Sequence, residues 1–154
     1  MLRNVFIDEL KAVRANIKAH AALVTGMGVV LDDASTTTAF PDATTSANIF
    51  VIDKLRAGAL GFNYLPDSAD EFNKIKAGEM VKCRKMTAGE MFDTDQVASA
   101  APAAGNIVGV GTDGKWAVMS SGSSIYRCVG VVSDAGKTMY RIEVLDTAEA
   151  AAAG

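Results

Sequence analysis

One histidine, two cysteines, one tryptophan and three prolines are all that the 154 residues hold of these types. Each scarcity excludes something. Histidine titrates nearest neutrality, so general-base and nucleophilic chemistry usually draws on it. Only His20 is available, between Ala19 and Ala21, and it reads as a surface or packing residue. One histidine and two dispersed cysteines cannot assemble a zinc site. Cys83 and Cys128 lie in strand-like runs and read as small buried hydrophobes, not as a bridge or a nucleophile. Aromatic residues make up 6% of the chain, which favours Trp116, Tyr126 and Tyr140 as core plugs over a stacking platform for sugars or bases.

Positive charge is also short. Fifteen Lys and Arg stand against eighteen Asp and Glu, a formal net charge of −3. A chain so balanced is not built to neutralise a phosphate backbone, and no nucleic-acid partner is expected. The longest apolar run, Ala21–Leu31, is broken by Thr25, Gly26 and Gly28. It is too short to span a bilayer, so no membrane partner is expected either. Asp8 and Glu9 fall where a signal peptide needs an uncharged stretch. The expectation is a soluble protein made in a reducing cytoplasm.

What the chain does have is β structure. The stretch Gly105–Leu145 organises the rest. Ile107–Val110 and Trp116–Met119 flank Thr112-Asp113-Gly114-Lys115, and Asp-Gly between two apolar runs is a strong hairpin signal, with positive φ expected at both residues. Tyr126–Val132 and Met139–Leu145 read as two further strands. In the last, Arg141 and Glu143 alternate with Ile142 and Val144, which predicts one wet and one buried face. No room is left for a crossover helix. Met27–Leu31 and Ile49–Ile52 read as strands by β-branched content, joined by a long polar loop rich in Thr and Ser. Gly58–Pro66 reads as a short strand ending at its proline.

The N-terminal segment carries a helical pattern. Phe6, Leu10, Val13 and Ile17 fall at helical spacing, with Lys11, Arg14 and Lys18 off that stripe. Two readings stand open: a helix docked on the β core, or an extended arm lying on a neighbouring protein. The organisation predicted is therefore an amphipathic helix or arm over 1–25, a β domain over 26–146 and an Ala-rich tail over 147–154. That tail reads as frayed, or as a short helix formed on contact. Val97–Ala104 reads as a linker.

A short motif recurs. Ala77-Gly78-Glu79-Met80 returns as Ala88-Gly89-Glu90-Met91, a period that matches one strand plus one Gly-containing turn. Nearby, Lys74, Lys76, Lys82, Arg84 and Lys85 face only Glu79. This basic run is either an edge strand guarded by lysines or a docking patch.

Several patterns imitate chemistry. Gly109-Val110-Gly111-Thr112-Asp113-Gly114 fits G-x-G-x-x-G, and with Lys115 it nearly fits a P-loop. Trp116 stands where the Ser or Thr should be, and a strand follows where a helix is needed. Asp32-Asp33 lacks further metal ligands at suitable spacing. Asp93 and Asp95 share one side of a strand, a spacing that suits either a divalent metal or a charged strand end. No catalytic residue, cofactor or metal site is assigned.

The segments GMGVVLDD (26–33), AGEMVKCRKMTAGEMFDTDQ (77–96), GNIVGVGTDGKW (105–116), YRCVGVVSDAG (126–136) and YRIEVLD (140–146) together resemble the capsid decoration, or cement, proteins of tailed bacteriophages. The resemblance covers about Ala22–Asp146 and rests on the order and spacing of strand-turn units. It implies a mainly β fold, a compact antiparallel β-barrel or β-tulip-like domain. It also implies a virion protein that binds the outside of the mature capsid where capsomers meet. The major capsid protein would be its partner, and it would form a homo-oligomer, commonly a trimer. The basic amphipathic N-terminus departs from the smallest members of that class. Seven methionines suit an adaptable contact surface. The candidate contacts are Phe6, Leu10, Val13 and Ile17 with Lys82, Arg84 and Lys85. Two other readings stand beside it: a tail-tube or head-completion protein, and a small-ligand-binding barrel using Trp116 and the Gly-rich turn.

Overall fold

The computed structural model describes residues 2–6, 13–32, 34–53, 73–134 and 136–151, and side chains from Ile17 onward within them. The chain is mainly β, with thirteen strands among the described residues. In order they are β1 (Leu2–Phe6), β2 (Val13–Lys18), β3 (Leu23–Val24), β4 (Gly28–Asp32), β5 (Thr37–Ala39), β6 (Phe50–Asp53), β7 (Lys74–Ile75), β8 (Met80–Arg84), β9 (Met91–Thr94), β10 (Ile107–Val110), β11 (Trp116–Val118), β12 (Ser123–Asp134) and β13 (Lys137–Ala150). Two assemblies dominate. A closed five-stranded barrel runs β2-β5-β4-β6-β8, and a six-stranded sheet runs β1-β9-β13-β12-β10-β11. Strands β3 and β7 form a separate pair.

Two cores follow from this arrangement. Ile17, Leu23, Met27, Val29, Ile52, Ile75, Val81 and Cys83 cluster together on the barrel strands and the β3–β7 pair. Ile49, Val51, Phe92, Val108, Val110, Trp116, Tyr126, Ile142 and Val144 form the second cluster, which joins β6 to the sheet. Strand β6 belongs to both. Val51 and Ile52 point to opposite faces, as successive strand residues must, and both are fully buried. That double burial explains why Ile49–Ile52 is apolar without alternation.

The predicted N-terminal helix is replaced by strands. Leu2 pairs with Thr94 and Arg3 with Asp93 on β9, while Val13 pairs with Arg84 and Ile17 with Val81 on β8. Helical spacing of apolar residues carried less weight than two vacant edges, one on β9 and one between β5 and β8. An extended arm on a neighbour is not what the described residues form, since β2 closes the barrel. The β2–β5 contact, Lys18↔Thr37, is parallel, so the barrel is not wholly antiparallel.

Other elements differ in detail. The polar loop after β4 contains β5, where Thr38 is buried and its Oγ1 accepts from the backbone N–H of His20 at 3.1 Å. Thr is β-branched, which the reading of this stretch as polar loop undervalued. The Ala-rich tail stays in β13 through Ala150, opposite Ser123. Val97–Ala104, read as a linker, is tied to the sheet: the Ala98 N–H donates to the Trp116 carbonyl at 2.9 Å. Val97 bridges Trp116, and Pro102 is buried. Gly58–Pro66 and Leu10 lie outside the described residues.

The expected hairpin is present, with Val110 opposite Trp116 and Val108 opposite Val118. Its turn differs from the expected one. Only Gly114 has a positive φ, at 77°, and the loop closes by Gly111 N–H to Lys115 carbonyl at 2.9 Å and Gly114 N–H to Gly111 carbonyl at 3.0 Å. The recurring Ala-Gly-Glu-Met is one turn used twice. Gly78 and Gly89 have φ of 83° and 84°, and the carboxylates of Glu79 and Glu90 accept from the N–H groups of Lys76 and Thr87. The first copy starts β8 in the barrel, and the second starts β9 in the sheet.

Candidate interaction surface

The groups with chemical potential are engaged in structure. Asp93 is buried, and its carboxylate accepts from Arg141 Nε at 2.9 Å and Nη2 at 3.0 Å. This bidentate pairing raises the guanidinium pKa. Asp95 lies 3.8 Å from Lys137. The two aspartates thus turn to different cations. Among the described residues no three His, Cys, Asp or Glu side chains converge as a metal cage would require.

His20 is exposed. Its Nδ1 lies 2.8 Å from Thr38 Oγ1, and its ring meets Phe40 edge-on at 4.5 Å. Desolvation lowers its pKa. Trp116 is fully buried, tilted against Phe92 at 5.3 Å and edge-on to Tyr126 at 5.0 Å. Burial and the Glu90 charge push the Tyr126 hydroxyl pKa up. Neither ring offers a face to a ligand.

The glycine-rich turn has a packing role. A Cβ on Gly109 would stand 2.8 Å from the carbonyl oxygen of Thr45, and one on Gly114 would stand 2.6 Å from the Phe40 ring. Thr45 and Val110 exchange backbone hydrogen bonds at 3.0 and 2.7 Å. These glycines let the 40–48 segment lie against the sheet, and no helix follows to hold a phosphate.

The basic strand has a different environment from the one expected of a guarded edge. Strand β8 pairs with β2 on one side and β6 on the other, so it has no free edge for lysines to protect. Met80, Lys82 and Arg84 alternate onto one face of it. Exposure falls along that face: Met80 is 47% exposed, Lys82 is half-buried and Arg84 is 2% exposed. Asp53 on the neighbouring strand meets both cations, with Lys82 Nζ at 3.1 Å and Arg84 Nη2 at 3.3 Å. Two cations on one carboxylate leave this face positive. Lys85 is exposed, with its Nζ 5.8 Å from the Phe50 ring centroid.

The candidate contacts therefore separate. Lys82, half-buried on β8, and Lys85, exposed just past its end, are the accessible ones. Arg84 is interior, with Nε and Nη1 buried and unpartnered. Ile17 belongs to the barrel core and is removed from any surface. Phe6 lies on β1 and Val13 on β2; Leu10 is not among the described residues.

A second surface escaped the sequence reading. Strand β10 meets β12 at Ile107↔Arg127 and Val108↔Tyr126. The backbone contact ends with Cys128 N–H to Asn106 carbonyl and Gly105 N–H to Cys128 carbonyl. Past Cys128, no strand among the described residues takes that edge of β12. Val129 and Val131 there are 42% and 54% exposed. The only signal in the sequence was the length of the hairpin relative to Ile107–Val110.

No protein-family model matches the chain, and no curated protein matches it.

Proposed function

We propose that this chain is a structural virion protein. It binds the outer surface of a phage capsid at capsomer contacts, stabilises the mature head and associates with itself, the resemblance implying a trimer. The barrel and sheet are, on this reading, a β-tulip-type domain whose partner is the major capsid protein. The chain is made in the host cytoplasm and resides on the virion surface, and the reading gives it no catalytic step.

One observation supports the proposal: β8 bears exposed Met80 and half-buried Lys82, with exposed Lys85 just past its end, although the strand has neighbours on both sides. Lysines on an edge strand are explained by protection against stray pairing. Here that explanation is gone, and an adaptable methionine beside cations that steer an acidic partner suits docking. Each contact is weak, but many copies on one shell add up.

The test is co-sedimentation of the purified protein with expanded shells of the encoding phage that lack it. The double variant Lys82→Glu with Lys85→Glu is expected to weaken binding on the order of tenfold, with the loss largest at low salt. Binding of the unaltered protein that ignores this charge reversal would sink the assigned surface. No binding at all would sink the function.

A further inference from the structure

We infer that the seam between β2 and β5 is an acid-sensitive latch, and that protonation of His20 opens the five-stranded barrel there. This seam is the weakest of the five. Its ladder is a single parallel pair, Lys18↔Thr37, while each of the other four has two or more antiparallel pairs. Thr36, whose carbonyl accepts the Lys18 N–H at 3.0 Å, has a φ of 53°, a left-handed conformation that is costly for a β-branched residue. Once the seam parts, β2 stays on β8 and β5 stays on β4. The closed barrel then becomes an open sheet of order β5-β4-β6-β8-β2.

Side chains carry the seam further than its ladder. Thr38 is 1% exposed, and its Oγ1 accepts the His20 backbone N–H at 3.1 Å. The hydroxyl hydrogen therefore points elsewhere. The acceptor that the described residues offer it is His20 Nδ1, 2.8 Å away. This fixes the neutral ring with its proton on Nε2. A proton taken up at Nδ1 turns that acceptor into a donor. Two N–H groups then face one oxygen, and the buried hydroxyl hydrogen has no acceptor until the strands part and admit water.

The surroundings do not offset this. Among the described residues no ion pair includes His20. Lys18, two residues away, is a like charge on the exposed side of β2. The Asp32 carboxylate at the end of β4 accepts from Ala34 and Ser35, and that of Glu79, before β8, accepts the Lys76 N–H. Asp113 and Lys115, on the turn packed against Phe40, pair with each other at 3.7 Å. Burial lowers the pKa of the ring from its ordinary value of about 6.5. The seam is thus fully closed above that pH and loosens as the pH falls below it. The latch needs no capsid and stands apart from the function proposed above.

The experiment is native-state hydrogen exchange by NMR on the full chain, whose single histidine gives one ring signal to titrate. At about pH 7.5 the ring is expected as the Nε2–H tautomer. Between about pH 7.5 and about pH 5, protection of the Lys18 and His20 amides, which donate across the seam, is expected to fall about tenfold. The Val110 and Val144 amides of the sheet should keep theirs. His20→Gln retains an acceptor for Thr38 but cannot titrate, and it should abolish the pH dependence. Thr38→Val should leave the His20 amide weakly protected at both pH values. An Nδ1–H tautomer at neutral pH, no loss at the seam, an equal loss in the sheet, or a pH dependence that survives His20→Gln would overturn the inference.

Discussion

The indole N–H of Trp116 donates to the carbonyl of Gly26 at 2.9 Å across ninety residues of sequence. Thr94 Oγ1 donates to the same oxygen at 3.2 Å. One backbone carbonyl beside the barrel thus receives a donor from β11 and another from β9. Trp116→Phe removes one donor and part of a buried ring, while Thr94 keeps the carbonyl paired. The expected cost is about 2 kcal/mol. Urea denaturation followed by circular dichroism measures it, and a loss under half a kcal/mol would show that this joint is dispensable.

Arg141 and Asp93 couple β13 to β9. Because Asp93 is buried and its pairing bidentate, removing the cation leaves an uncompensated charge. Arg141→Met is expected to destabilise the fold by about 3 kcal/mol. Adding Asp93→Asn to that variant should recover part of the loss. A double variant no more stable than the single one would mean that the charge is not the cause.

Much of this was legible in the sequence. Asp113-Gly114 located a hairpin, and Arg141/Glu143 against Ile142/Val144 separated the wet and buried faces of β13, because local turn chemistry and period-two patterning are carried by adjacent residues. What failed was non-local. Phe6, Val13 and Ile17 have the spacing of a helix, yet β1 and β2 are set by edges on β9 and β8 more than sixty residues away. Thr37–Ala39 became a strand because the barrel needed a fifth one. At the candidate surface, Lys82 and Lys85 were visible as charges, but whether β8 had a free edge depended on which strands closed around it. Arg84 and Ile17 looked accessible for the same reason and are interior. The open edge of β12 follows from β10 ending early, a mismatch of strand lengths that no single segment displays.

Removal of residues 1–18 tests how the N-terminal segment is used. Since β2 closes the barrel between β5 and β8, the truncated chain is expected to lose its cooperative unfolding transition. Retention of that transition with unchanged slope in denaturant would restore the picture of a detachable arm.

The two thiols give a readout of core integrity. Burial pushes the Cys83 thiol up to about 12 and raises that of Cys128 as well. Thiolate is the reactive form, so both groups should resist alkylation at pH 8 in the native protein and react together once it unfolds. Rapid modification of either one at that pH under native conditions would contradict the packing described.

The central claim is that this chain adheres to a shell in many copies. Its most direct test, if the proposed function holds, is the copy number in purified particles of the phage that would encode it, measured by quantitative mass spectrometry against the major capsid protein. The account predicts an abundance comparable with that of the capsid subunits. Absence from the particle, or only enough copies for a single ring, would contradict it.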